Sequence, residues 1–255
     1  MELFDTHAHL SSPDVLPHIA SILDRAQASG IQRIVNICTD LDSLREGLEL
    51  EKQYLWICNA GATSPHDVDR EGEQAFETFA MAAREKKLAA IGETGLDYYY
   101  KHSKKTTQRE FFVRYLHLAS ECKRPVIFHC RDAFDDLFAI ADSEYPKGAP
   151  AIVHCFTGNR EDAKKAVDRG WMISLSGILT FKNSGALREA ARLIPNDFIL
   201  LETDTPYLAP QDKRGRPNEP SFMIETAECL AMIRNAPLSE IARMTSDNAR
   251  RIFQI

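Results

Sequence analysis

Nowhere in the chain is there an apolar run approaching the ~20 residues that a membrane-spanning helix needs, so no helical span is expected. Glu2 and Asp5 fall where the apolar stretch of a secretion signal would begin, which argues against one. Basic residues are outnumbered, with 31 Lys and Arg against 37 Asp and Glu and a formal net charge of −6. That argues against the broadly basic surface of a protein that coats duplex DNA, but not against an enzyme that grips one or two phosphates locally. Cysteine is scarce, and none of Cys38, Cys58, Cys122, Cys130, Cys155 and Cys229 forms a C-x-x-C pair. Most of the six lie in strand-like apolar runs, where a free thiol behaves as a small hydrophobe. The expectation is therefore no disulfide framework and a reducing, cytoplasmic setting. The G-x-G-x-x-G turn of a doubly wound nucleotide-binding sheet is also missing after the first strand.

What is present is alternation. Hydrophobic residues at 44% and charged residues at 27% place the chain among soluble globular proteins. Short β-rich runs are predicted at 2–6, 32–37, 55–60, 88–92, 125–129, 151–154, 171–175 and 198–202. Amphipathic stretches separate them, near 14–29, 40–53, 71–86, 106–123, 132–143, 159–169 and 184–193, with two more near 219–234 and 238–252. Eight strand–helix units in 255 residues predict a closed (β/α)8 TIM barrel rather than an open sheet. With no linker, repeat or low-complexity segment, residues 1–255 read as a single α/β domain. The sequence does not set the oligomeric state, and a monomer is the simpler expectation.

A TIM barrel keeps its active site at the C-terminal ends of its strands, so metal-binding residues should gather there. His7 and His9 stand two apart at the end of the first strand, on one face. Glu93 follows the apolar run Leu88 to Gly92; taken alone, it reads more readily as a helix cap or an ion-pair partner than as a metal ligand. His129 and His154 end consecutive strands, and each is followed by Cys. A single histidine of this kind is usually a hydrogen-bonded core residue, whereas a matched pair on adjacent strands points to a shared site. Asp204 closes the last strand's run, and Glu202 shares its face. One of these two carboxylates can bind a metal while the other steadies a ligand, and Asp204 lies nearer the mouth. Four histidines and two carboxylates make a mixed nitrogen and oxygen set, suited to Zn²⁺ or Mn²⁺ and, in its oxygen-rich half, to Mg²⁺.

Read together, Asp5-Thr6-His7-Ala8-His9, Gly92-Glu93-Thr94-Gly95-Leu96-Asp97, His129-Cys130-Arg131-Asp132, His154-Cys155-Phe156-Thr157-Gly158 and Glu202-Thr203-Asp204-Thr205-Pro206-Tyr207 resemble the TatD-related metal-dependent hydrolases, TIM barrels described as deoxyribonucleases. The resemblance spans almost the whole chain. It implies two divalent metal cations, one held by His7, His9, Glu93 and Asp204 and a second by Glu93, His129 and His154, with Glu93 bridging. It also implies phosphodiester hydrolysis, in which Asp204 is the candidate to take the proton of the attacking water. Two departures bear on substrate. Where the family often has G-x-H-P-H, this chain reads Ala62-Thr63-Ser64-Pro65-His66, so Ser64 replaces a histidine and His66 remains. Where the family often has R-N-E-P, it reads Pro217-Asn218-Glu219-Pro220, with Arg216 one place upstream.

DNA or another phosphodiester is thus the expected partner, with Ser64, His66, Arg131, Arg216 and Asn218 as candidate contacts. Lys101, His102, Lys104 and Lys105 after the fourth strand, with Lys213, Arg214 and Arg216 after the eighth, suggest a basic rim, though solvated loops have the same composition. Tyr98, Tyr99 and Tyr100 can stack bases, or can pack the loop against the barrel. Two other readings use the same scaffold. One is an amidohydrolase acting on a small ester, lactone or amide, although many such enzymes use a modified lysine at the fourth strand and none lies within Ile91–Asp97. The other is a non-catalytic metal-binding protein, against which the complete ligand set argues.

Overall fold

The computed structural model describes residues 1–255. Eight parallel strands run in sequence order around one sheet: β1 (Leu3–Ala8), β2 (Ile31–Cys38), β3 (Ile57–Gly61), β4 (Ala90–Asp97), β5 (Val126–Arg131), β6 (Ala151–Val153), β7 (Met172–Leu175) and β8 (Ile199–Leu201). Helices α1 (Ile19–Ala28), α2 (Leu41–Gln53), α3 (Val68–Arg84), α4 (Lys105–Cys122), α5 (Phe134–Glu144), α6 (Arg160–Asp168) and α7 (Gly185–Leu193) make the crossovers. Two more, α8 (Met223–Arg234) and α9 (Leu238–Phe253), follow β8. This is the TIM barrel expected from the eightfold alternation. No helix is long and apolar enough to cross a membrane.

β8 is too short to pair with β1 as a ladder, and the segment beyond it closes the ring. Asp204 donates its backbone N–H to the His7 carbonyl at 2.8 Å, and His9 donates to the Thr205 carbonyl at 2.8 Å. Below this, the Asp5 carboxylate accepts from the Thr203 N–H at 3.0 Å and the Thr203 hydroxyl at 2.6 Å. The seam of the barrel is therefore made by the residues that carry three of the expected ligands.

Two apolar layers hold the fold. The larger lies between the barrel wall and the helices, around Leu3, Ile34, Ile91, Phe112, Phe128 and Leu201. The smaller fills the barrel with Phe4, Ile37, Ala90, Ile127, Ile152, Met172 and Leu200. Three residues of α9, Ala249, Ile252 and Phe253, belong to that inner cluster. Phe253 stacks on Phe4 with ring centroids 5.9 Å apart. Asn248 fixes the helix there by donating to the Asn196 and Ile199 carbonyls at 2.7 and 2.8 Å. α9 is thus a stopper in the N-terminal end of the barrel, opposite the mouth.

The strand boundaries differ from the sequence reading where the site begins. β1 runs to Ala8, and β4 covers Ala90–Asp97 instead of ending near residue 92, so His7 and Glu93 lie within strands. In both strands the register slips, between Asp5 and Ala8 and between Ile91 and Thr94. A slip breaks the two-residue hydrophobic period on which strand prediction rests.

Removing the α9 stopper should test the inner core. Phe253→Ala leaves a cavity beneath Phe4 and should cost about 3–5 kcal/mol of stability, read as a lower denaturation midpoint in urea at unchanged slope. An unchanged midpoint would mean that α9 does not stopper the barrel.

Candidate metal centre

Along three strands, inward positions climb from oil to ligand in steps of two. β5 presents Ile127, then His129, then Arg131; β6 presents Ile152, then His154; β8 and its extension present Leu200, then Glu202, then Asp204. The inward apolar residues fill the barrel, and the polar ones above them meet at its mouth.

There, three histidines surround Glu93. Its Oε2 is 3.1 Å from His7 Nε2 and 3.1 Å from His154 Nε2, and its Oε1 is 3.7 Å from His129 Nδ1. Asp204 Oδ1 lies 3.4 Å from His9 Nε2 and 3.7 Å from His7 Nε2. Two pairs of ring nitrogens face each other, His7 Nε2 with His9 Nε2 at 3.4 Å and His154 Nε2 with His129 Nδ1 at 3.3 Å. All six sequence-predicted ligands are thus brought together, and they separate into two groups, His7, His9 and Asp204 on one side and Glu93, His129 and His154 on the other. Facing lone pairs repel unless a proton or a cation sits between them. Glu93 Oε2 is buried without a hydrogen-bond partner, despite its two close imidazoles. A buried carboxylate oxygen left in this way costs several kcal/mol unless a cation neutralises it. The donor set and its orphaned oxygen fit divalent cations.

Two carboxylates behind the ligands set which nitrogen of each ring faces the centre. Asp97 Oδ2 sits 2.9 Å from His129 Nε2 and 2.8 Å from His66 Nε2, so His129 directs Nδ1 at Glu93. Glu202 is fully buried; its Oε1 accepts the Cys155 N–H at 2.6 Å and lies 3.6 Å from His154 Nδ1. His7 and His154 stack with centroids 3.9 Å apart, and both Nδ1 atoms, like Glu202 Oε2, lack a hydrogen-bond partner. Glu202 therefore stands behind one ligand from each group, and Asp97 behind a third. The sequence reading left Glu202 between two roles and did not single out Asp97. A signal was available, because Asp97 is four residues from Glu93 on one strand and shares its face.

Burial and charge act against each other here. Burial drives the His7 pKa down to about 3. Burial also opposes a charged His154, but Glu93 and Glu202 lift its pKa well above the ordinary histidine value. Glu93 shows the converse: burial pushes its pKa up, yet His154 and His7 hold it well below the carboxylate range. Asp97 likewise stays ionised against its burial because His129 and His66 donate to it.

Backbone geometry permits this approach at one glycine in particular. Gly95 pairs with His129 at φ +144°, and a Cβ there would stand 2.2 Å from the His129 carbonyl oxygen. Only glycine lets β4 and β5 come this close.

The centre opens into a cavity of about 550 Å³ lined by Ser64, His66, Tyr100, His102, Arg131 and Tyr207 as well as five of the six expected ligands, all but His7. Arg131 is its one permanently cationic side chain, against Asp40, Asp67, Glu93, Asp97 and Asp204. Of the anticipated basic rim, only His102 lines it. Lys105 sits over Tyr98, Lys213 pairs with Glu225 at 3.2 Å, and Arg214 covers Phe181. Two candidate contacts also fall outside. Arg216 is exposed on a loop away from the lining, and Asn218 is buried, donating to the Thr203 and Tyr207 carbonyls at 2.7 and 2.8 Å. Asn218 braces the turn that carries Asp204. Ser64 accepts the His66 N–H at 3.3 Å, which keeps it at the cavity wall.

The chain is similar along its length to a family of known proteins. A family model described as TatD related DNase matches residues 4–254. YabD of Bacillus subtilis, described as an uncharacterized metal-dependent hydrolase, is 36% identical over 253 residues, 99% of each chain. TatD of Salmonella typhimurium, described as a 3'-5' ssDNA/RNA exonuclease, is 31% identical over 258 residues, again 99% of each. The crystal structure of YJJV, a TatD homologue from Escherichia coli, superposes with a TM-score of 0.94 at 26% identity, covering 99% of this chain and 98% of that one. With its fold, its histidine and carboxylate clusters and these relatives in agreement, the chain belongs to the TatD-related family and is a metal-dependent hydrolase.

Proposed function

We propose that the chain is a nuclease that hydrolyses phosphodiester bonds of single-stranded DNA at a two-metal centre. One cation would be held by His7, His9, Glu93 and Asp204, and the second by Glu93, His129 and His154, with Glu93 shared. The observation that carries the reading is the buried, unpartnered Glu93 Oε2 between imidazoles from opposite groups. Zn²⁺, Mn²⁺ and Mg²⁺ all suit such a set. Bound cations at this position supply activation of a water and neutralisation of phosphate charge.

The chain's own groups account for the rest. The Asp204 carboxylate faces the cavity with Oδ1 toward His9, leaving Oδ2 to take the proton of the attacking water. Arg131 presents its planar guanidinium to a phosphate oxygen from the cavity wall. His66, anchored on Asp97, is placed to give a proton at its other nitrogen to a leaving oxygen. Ser64 leaves more room there than a histidine would. The single-strand preference is supported by the activity named for the Salmonella relative and by the absence of a basic lining wide enough for a duplex. Six free cysteines suit the reducing cytoplasm proposed for it.

Four measurements test this proposal. Metal-loaded protein should cleave single-stranded DNA in preference to duplex DNA and to a panel of phosphorus-free esters, and Glu93→Ala should abolish that cleavage; turnover confined to the esters would overturn it. Metal analysis should find two ions per chain, falling to one in His129→Ala. Removing the ions with a chelator should lower the melting temperature by roughly 5–10 °C relative to protein at a hundredfold excess of metal over Kd. Glu202→Gln should weaken metal affinity about 10- to 100-fold through loss of ring orientation, read by titration with a competing chelator. Unchanged affinity would deny Glu202 its orienting role.

A further inference from the structure

A continuous file of aromatic rings crosses the mouth, with the histidine ligands in its middle. His9 and His7 lie 5.1 Å apart between ring centroids, His7 and His154 3.9 Å, and His154 and His129 5.4 Å. Beyond the ligands the file continues on both sides. On one side Tyr207 stands edge-on to His9 at 5.7 Å. On the other, His66 follows His129 at 5.3 Å and Tyr100 follows His66 at 5.5 Å. The file thus ends in a tyrosine at each end, and both tyrosines line the cavity. They are also among the few large side chains left open to solvent, at 47% for Tyr100 and 56% for Tyr207.

The neighbouring tyrosines are engaged elsewhere. Tyr98 donates to Asp136 at 2.6 Å and lies beneath Lys105, and Tyr99 lies under the Arg131 guanidinium. Tyr100 instead lies nearly parallel to His102, at 14° and 5.6 Å, which makes a two-ring platform.

Resting on the nuclease reading, we propose that Tyr100 and Tyr207 are nucleobase-stacking subsites on opposite sides of the scissile phosphate. A phosphodiester seated over the ligands carries one nucleoside toward each tyrosine. In a cavity with five carboxylates and one arginine, the two open tyrosine rings offer a base a face on which to stack. Aromatic faces accept any base, and they need it unpaired and turned out of a helical stack. The two tyrosines therefore select single strands by geometry, with little regard to sequence.

The test compares metal-loaded protein on an oligothymidylate and on an abasic deoxyribose-phosphate oligomer of the same length, which keeps the phosphates and lacks the bases. The protein should favour the oligothymidylate. In Tyr100→Ala and in Tyr207→Ala that preference, as the ratio of kcat/KM values, should fall about 5- to 100-fold, chiefly through KM. The corresponding Phe variants should restore it. Cleavage of both polymers with equal efficiency, or Ala variants with an unaltered ratio, would overturn the stacking subsites while leaving the nuclease reading intact. Metal-dependent cleavage of neither would overturn both.

Discussion

Glu93 is a buried carboxylate whose Oε2 has no hydrogen-bond partner. Left ionised and unpaired, such a group costs several kcal/mol or more, and the fold supplies three imidazoles around it rather than an arginine or lysine. An ammonium or guanidinium would have satisfied the charge permanently. Imidazoles satisfy it only when they carry a proton, and they offer lone pairs when they do not. The cluster can therefore balance its charge with a proton, held on His154 between Glu93 and Glu202, or exchange that proton for cations. The burial that makes Glu93 expensive is also what would make its attraction for a cation strong.

That exchange requires fixed rings, and the barrel fixes them from behind. Strands that climb by twos place ligand atoms above apolar residues, so each imidazole rises from a packed base. Asp97 and Glu202 then choose the nitrogen that faces inward. The seam of the barrel is part of the same arrangement. Asp204 and His9 make the backbone bonds that join the chain beyond β8 to β1, and the Asp5 to Thr203 bonds lie directly beneath. Asp204 takes up a left-handed conformation there, at φ 63°, which aspartate tolerates better than most residues. Closing the barrel and placing a ligand are one structural event, and α9 at the far end keeps the cylinder filled.

Much of this was readable in the sequence because its rules are local. Hydrophobic period gave the eight strands, and strand-end position gathered all six ligands. What escaped depended on register. His7 and Glu93 lie inside strands whose alternation slips, and the glycines of Gly92-Glu93-Thr94-Gly95 look like a turn until Gly95 is seen against His129. Asn218 was a candidate substrate contact because it lies in the stretch that resembles the family's R-N-E-P, yet it is buried and braces the Asp204 turn. The lysines and arginines of the loops suggested a rim, but charge in a sequence does not say which partner it meets. Lys213 meets Glu225 and Lys105 meets a tyrosine ring. Tyr207 escaped for a similar reason, since its importance lies in standing beside His9.

The sign of the cavity ties these features together. Five carboxylates against one arginine, offset only in part by imidazoles, make the mouth a poor host for a polyanion without cations. Two divalent cations would add four positive charges where the carboxylates converge and reverse that sign locally. Metal loading would then act twice, supplying the chemistry and admitting the substrate. The reversal would be confined to a few ångströms around Glu93, because the outer surface remains acidic and salt screens charge beyond ~8–10 Å. A field of that reach holds one or two phosphates, and the rest of the grip must come from uncharged contacts. The two tyrosines at the ends of the ring file are the groups positioned to provide them.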